Sequence, residues 1–224
     1  MSLSVDYLYK FCLALIRKSQ AGGVSSNEFE IHWNDQSNAY MDDLLGRFQN
    51  RTNSKLGSNT GLIENETILT KLTPFTHPVV IPITNGQAIK PDDFVYTLAL
   101  RINDERVYQI DKDQIYWAKQ NVIDPPSIVD NTYYYTEYEN YYSFLPETVT
   151  SVSLDYIATP KNVVWGFTLD ANGRQIYNPG TSVQPKWSDN SCREITKRML
   201  SNLGISFKDA DFANFGKSVE TTGE

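Results

Sequence analysis

The chain has 224 residues, of which 40% are hydrophobic and 21% charged, with a formal net charge of −7. A chain of this size buries roughly 70–75% of its unfolded surface, so one large domain, or a domain with appendages, folds without disulfide or metal staples. The acidic balance and the lack of a concentrated basic face exclude broad affinity for nucleic acid or anionic membranes.

In chain order, Ser4 caps a first helix over 5–20, with Asp6 in its first turn and Gly22 and Gly23 as its stop. Its apolar residues (Val5, Leu8, Phe11, Cys12, Leu13, Leu15, Ile16) wrap more than one face, which predicts cover from two sides. No basic stretch with a cleavage site opens the chain, so no signal peptide is expected. The longest apolar run, 11–16, falls far short of the ~20 residues that span a bilayer. Ser25 and Glu28 form a capping box for a second helix over 26–49, striped by Phe29, Trp33, Tyr40, Leu44 and Phe48. The short connection between the two predicts an antiparallel helical hairpin. Residues 50–61 are almost free of apolar side chains and read as a loop or linker, followed by a short helix over 63–72 that Pro74 stops.

From Pro78 the pattern turns to strands, over 79–83, 95–102 and 107–110, with turns at Asn85 and Gly86 and at Asn103 and Asp104. Residues 131–143 hold six of the fourteen tyrosines: Tyr133, Tyr134, Tyr135, Tyr138, Tyr141 and Tyr142. That density suits two paired strands turning at Glu139 and Asn140. Val152, Leu154 and Tyr156 alternate with polar residues up to Pro160. Val163, Trp165 and Phe167 alternate again, Asn172 and Gly173 turn, and 174–177 return. Ser188 caps a last helix carrying Cys192, Ile195, Met199, Leu200 and Leu203, with Trp187 stapled onto Cys192 and Gly204 and Ile205 closing a Schellman stop. The tail over 206–224 keeps only Phe207, Phe212 and Phe215 as apolar bulk.

Little here reads as chemistry. No phosphate loop and no G-x-S-x-G elbow occurs, and Cys12, Cys192, His32 and His77 lack metal-ligand spacing. Two buried free thiols are therefore the expectation. His32 is flanked by Glu28 and Asp35, a pattern that can serve a general base but more often marks a solvated helix face. The pairs Asp42 and Asp43, Asp92 and Asp93, and Asp104 and Glu105 lack calcium-loop spacing and read as surface or turn carboxylates. The tyrosine cluster fits sheet packing, a subunit interface or a sugar platform. Base stacking is disfavoured because Glu137 and Glu139, not Arg or Lys, stand among the rings.

Several phrases, in order, resemble structural proteins of tailed bacteriophages that infect Bacteroides, the crAss-like group included. They are Lys18-Ser19-Gln20-Ala21-Gly22-Gly23 at the end of the first helix, Ser26-Asn27-Glu28-Phe29-Glu30, Leu72-Thr73-Pro74-Phe75 and Pro91-Asp92-Asp93-Phe94. Asp155-Tyr156-Ile157 before Pro160, Val164-Trp165-Gly166, and Trp187 leading into Glu194 and Ile195 and on to Leu203-Gly204-Ile205 complete the series. The chain is similar in style to the adaptor or gatekeeper proteins of podovirus tails. That resemblance implies a subunit of a closed, twelve-fold head-to-tail connector ring in the virion, assembled in the host cytoplasm. Its partners would be further copies of itself, the portal protein and other connector or tail proteins, with genomic DNA passing through unread. It implies no enzymatic activity, cofactor, metal or membrane. Other virion roles (head completion, tail hub, cargo) are the alternative, and a carbohydrate-binding β-domain is a third.

The expected fold is α+β: an N-terminal helical part over 1–72, an antiparallel β-sheet or sandwich domain over 73–187, a helix over 188–205 packing on the helical part, and an extended tail. Phe11, Leu13, Tyr134, Tyr141, Phe212 and Phe215 are the residues expected at subunit or partner interfaces.

Overall fold

Capping, hydrophobic spacing and turn chemistry produce a mixed α+β chain. The computed structural model describes residues 3–18, 23–53, 59–121 and 125–203. Its helices are α1 (Val5–Lys18), α2 (Ser26–Asn53), α3 (Asn59–Leu72), α4 (Gln114–Gln120) and α5 (Asp189–Asn202). Its strands are β1 (Thr76–Pro82), β2 (Gln87–Ile89), β3 (Phe94–Ile102), β4 (Glu105–Arg106), β5 (Tyr108–Gln109), β6 (Tyr134–Glu137), β7 (Tyr141–Leu145), β8 (Ser151–Ala158), β9 (Phe167–Leu169) and β10 (Gln175–Tyr177). The chain divides into two compact units, Met1–Pro74 with Pro160–Glu224, and Phe75–Thr159.

In the helical unit the caps are the ones the sequence specifies. Ser4 Oγ accepts from Tyr7 N at 3.2 Å, and Ser25 and Glu28 close the capping box, Glu28 Oε2 accepting from Ser25 N at 2.8 Å. Ser188 Oγ accepts from Ser191 N at 3.3 Å to open α5. Two helices outrun their expected bounds: α2 continues to Asn53 and α3 begins at Asn59, so 50–53 and 59–61 of the expected loop over 50–61 are helical, and 54–58 lie outside the described residues. Asn and Thr, poor helix formers taken singly, are outvoted there by continuation of established helices. The expected Schellman stop at Gly204 and Ile205 and the tail lie outside the described residues.

Helix α2 is the spine of this unit and packs against α3 and α5, while α1 packs against α5. Trp33 and Trp187 are almost fully buried, and both indoles find partners: Trp33 Nε1 donates to Thr196 Oγ1 at 3.4 Å, Trp187 Nε1 to Ser37 Oγ at 2.8 Å. Buried indole N–H groups need such acceptors. Tyr40 meets Trp187 edge-on, with ring centroids 5.3 Å apart.

Residues 160–187 were expected with the sheets, but they cluster with the helices. The cause is a polar clamp. Asn34 on α2 accepts from Val163 N at 2.7 Å and donates to Val163 O at 3.0 Å; Glu30 Oε1 accepts from Trp165 N at 2.9 Å. Between them, Val164 pairs in both directions with the backbone of Val183. Residues 163–165 thus behave as a strand with backbone on one side and helix side chains on the other. Trp165 drops onto Tyr9 (4.8 Å between centroids), and its indole donates to Asp6 Oδ1 at 3.2 Å. Gly166 follows because a Cβ there would lie 2.6 Å from the Thr181 carbonyl carbon, too close for any other residue.

In the sheet unit, one four-stranded sheet has the order β1-β8-β3-β4 and another β2-β7-β6-β5. Central β8 pairs antiparallel with both β1 and β3, and its alternate residues Val152, Leu154 and Tyr156 are all buried in the apolar cluster on one face. One apolar cluster draws on both sheets, from Ile81, Leu100 and Leu154 in the first to Ala88, Tyr142 and Phe144 in the second. β5 departs from the antiparallel expectation, running parallel to β6 with Tyr108 opposite Tyr134.

Trp187→Ala is expected to destabilise the protein by about 3–5 kcal/mol in urea or guanidinium unfolding, as truncation of a buried Trp does. Trp117→Ala, at a site 78% exposed, is expected to change stability by no more than about 0.5 kcal/mol.

Candidate functional site

Several of the polar groups singled out in the sequence, Glu28, Asp43 and Asp93, are bonded to neighbours within the fold. Glu28 Oε2 accepts both capping bonds from Ser25, and those bonds hold its carboxyl below the usual range. Asp43 is gripped by Arg198 at 2.9 Å and Arg47 at 2.9 Å, which lowers its pKa, the Arg198 bond most. Asp93 Oδ1 accepts from the Tyr156 hydroxyl at 2.9 Å. Asn103 and Asp104 take positive φ, 52° and 65°, as the turn before β4 requires. Cys12 and Cys192 are free and buried, and burial pushes each thiol up to about 12. Among the described residues no group of three or more His, Cys, Asp or Glu is placed to hold a metal ion, and no helix is long and apolar enough to cross a membrane.

The tyrosine cluster is split by strand alternation. In the register Tyr135 opposite Phe144 and Glu137 opposite Tyr142, the core face carries Tyr142 and Phe144, both fully buried. Tyr142 donates or accepts with Thr97 Oγ1 at 2.7 Å, and Lys90 lies 4.9 Å from its ring and 4.4 Å from that of Phe94. The Lys90 ammonium, with only 8% of its side chain exposed, is neutralised by Glu137 at 2.7 Å. A buried cation needs such a partner. Burial raises Tyr135 to about 12 and Tyr142 higher still, so neither ionises near neutral pH. Tyr134 and Tyr141 point to the opposite face and are half-buried; Tyr141 stacks on Tyr138 at 4.7 Å. Of the expected interface residues, Phe11 and Leu13 are also half-buried, and Phe212 and Phe215 lie outside the described residues.

Two apolar surfaces escaped the sequence reading. The first is a groove of about 370 Å³ between α1 and α5, lined by Leu3, Tyr7, Phe11 and Leu15 on one side and Arg193, Lys197 and Leu200 on the other. Leu3 N donates to Asp189 Oδ1 at 2.8 Å, which holds the start of α1 beside the start of α5, and Val5 N donates to Gln184 Oε1 at 2.9 Å. The two-sided apolar pattern of α1 foreshadows this groove: Leu8, Cys12 and Ile16 enter the core, and Phe11 and Leu15 line the opening. Its location needed the α5 neighbour, which no local pattern supplies. The second surface is the hairpin β9–β10, where Phe167 (40% exposed), Leu169 (64%) and Ile176 (53%) stand in water. Helix α4 likewise leaves Tyr116 and Trp117 exposed and buries no residue.

No protein-family model matches the chain, and no curated protein matches it.

Asp43 gives a pH dependence of definite sign. Its folded pKa is depressed, so its contribution is present above the unfolded carboxylate value of about 3.9 and is lost as pH falls through the lower folded value. Urea titrations from neutral pH to about pH 3 should show Asp43→Asn costing roughly 0.5–1 kcal/mol at neutrality and flattening the acid limb. An unchanged acid limb would contradict the assignment.

Proposed function

We propose that the chain is a virion structural subunit, one member of a closed head-to-tail connector ring between portal and tail. The observation that carries this reading is the hairpin β9–β10. A two-stranded sheet with Leu169 and Ile176 exposed, and Phe167 covered only in part by Trp165, is marginal by itself, and pairing or packing with a neighbour completes it. A ring joins unlike surfaces of successive copies, so apolar patches at different places on one subunit suit it better than a single self-complementary patch. The half-buried Phe11 and Leu13 of the helical unit and, separately, Tyr134 and Tyr141 of the sheet unit are further residues we assign to subunit contacts. The ordered phage-like phrases, from Lys18-Ser19-Gln20-Ala21-Gly22-Gly23 to Leu203-Gly204-Ile205, support the same assignment. A net charge of −7 suits a conduit along which DNA passes without adhering.

Native mass spectrometry of the purified chain, alone and with portal-containing heads, tests the reading. A single closed oligomer, or a defined number of copies on each head, is the expected result. Leu169→Asp with Ile176→Asp should weaken association at least tenfold, about 1.4 kcal/mol, while leaving the monomer's melting unchanged. A chain that remains monomeric in both settings contradicts the proposal.

A further inference from the structure

We infer that β9 of one copy pairs antiparallel with β10 of the next, so that the hairpins of successive copies form one continuous sheet. This rests on the ring reading and names the contact that repeats around the ring. Inside the hairpin, Asn178 N donates to Gly166 O at 2.8 Å and Asp170 N to Arg174 O at 3.0 Å. Together with Thr168 opposite Ile176, these residues aim their backbone groups at one another. By alternation, Phe167 and Leu169 on β9 and Gln175 and Tyr177 on β10 aim theirs outward. Among the described residues no third strand pairs with either edge.

Other edges in the molecule are guarded. Ile83 N donates to Thr150 O at 2.8 Å, so in β1 the odd-numbered residues aim at β8 and the even-numbered ones face out. Two of the outward residues are Pro78 and Pro82, which have no N–H to offer a further strand. On the β2 edge, Gln87 already exchanges both of its backbone bonds with Thr84. The β9–β10 hairpin has neither device on its outward residues.

One register uses every outward group. It sets Phe167 opposite Tyr177 of the next copy and Leu169 opposite Gln175, repeating across the seam the pairing found inside the hairpin. A slip of two residues one way sets Phe167 against Pro179, which has no donor. The same slip the other way sets Leu169 against Gly173, whose N–H is already given to Asp170 O at 3.0 Å. The full register also brings Asp170 beside Arg174 of the next copy, on one face and at the closer, non-hydrogen-bonded spacing. These two are the only charged residues between 162 and 185. Asp170 Oδ1 serves the turn amides of Asn172 and Arg174 at 2.8 Å each, and neither Asp170 nor Arg174 has an ion-pair partner among the described residues. Pairing β9 with a second β9 sets Asp170 against Gly166, and pairing β10 with a second β10 sets Arg174 against Asn178. Neither joins the charges, and each leaves one edge of every hairpin open, whereas pairing unlike edges is the head-to-tail contact of a ring.

Disulfide trapping in the full-length protein tests this, with Thr168→Cys and Ile176→Cys placed singly in differently tagged chains and oxidised by diamide, which takes the two thiol hydrogens. Across the seam these positions form a non-hydrogen-bonded pair, with Cα atoms about 4.5 Å apart, a distance a disulfide spans. Both are exposed, and Cys12 and Cys192, buried with raised pKa values, serve as silent background. The expected result is a cross-link between the two tags in the mixture and none in either variant oxidised alone. Leu169→Pro removes one outward N–H and leaves the ladder inside the hairpin intact. It should cut the mixed yield about tenfold without moving the melting temperature, and an undiminished yield overturns the backbone pairing. A cross-link in Thr168→Cys alone or in Ile176→Cys alone means that like strands meet about a two-fold axis, and overturns the inference. A closed oligomer that gives no cross-link also overturns it and leaves the ring standing. If native mass spectrometry of the unmodified chain finds no oligomer, the ring reading fails first and this inference falls with it.

Discussion

The helical unit depends on one substitution of partners: side chains of α2 stand in for a β-strand. The amide and carbonyl of Val163 are both bonded to Asn34, and the amide of Trp165 to Glu30, while Val164 turns its own pair to Val183. An unpaired backbone group in a buried segment costs as much as a lost hydrogen bond, so this clamp decides where residues 160–187 go. With the backbone satisfied by α2, Val163 and Trp165 are free to bury against the helices, and Asp6 completes the site by accepting from the Trp165 indole. The hairpin that follows is carried on the helical unit and has no sheet of its own beyond two strands.

Much of the local structure was legible. Helix starts were written in Ser4, Ser25 with Glu28, and Ser188, because each offers a side-chain acceptor to an orphan amide. The strand through Val152, Leu154 and Tyr156 was legible from its alternation, and the tyrosine hairpin from its turn, where Tyr138 N donates to Tyr141 O at 2.9 Å. Alternation also contained the sorting of Tyr134 and Tyr141 away from Tyr142. What was not legible is the ownership of 160–187. Its alternating Val163, Trp165 and Phe167 match a strand belonging to any sheet, and only the long-range match of Asn34 and Glu30 to two backbone amides assigns it to the helices. The bound between expected domains therefore falls at 159/160, well before 187. The helical reach of α2 and α3 into 50–61 was hidden for a simpler reason: low intrinsic propensity is a weak prior against helix continuation.

The candidate surfaces follow the same division. Several ionisable groups that look chemical in the sequence, Glu28, Asp43 and Asp93 among them, are engaged in caps, ion pairs and hydrogen bonds, while a set of large apolar side chains stands exposed: Leu169 and Ile176 on the hairpin, Tyr7 at the groove, Tyr116 and Trp117 on α4. Apolar side chains held in water at several separate places are what a subunit with several neighbours needs, and this is the physical content of the assembly reading. The groove is legible only in hindsight from the two-sided helix α1, since its second wall comes from residues about 190 positions away in sequence.

Hydrogen exchange on an Asn34→Ala variant tests the central claim, that α2 side chains hold 160–187 on the helical unit. The amides of Val163 and Trp165 and the β9–β10 hairpin should lose protection together, while β1, β3 and β8 keep theirs. Retained protection at Val163, or loss spread equally through the sheets, would contradict it.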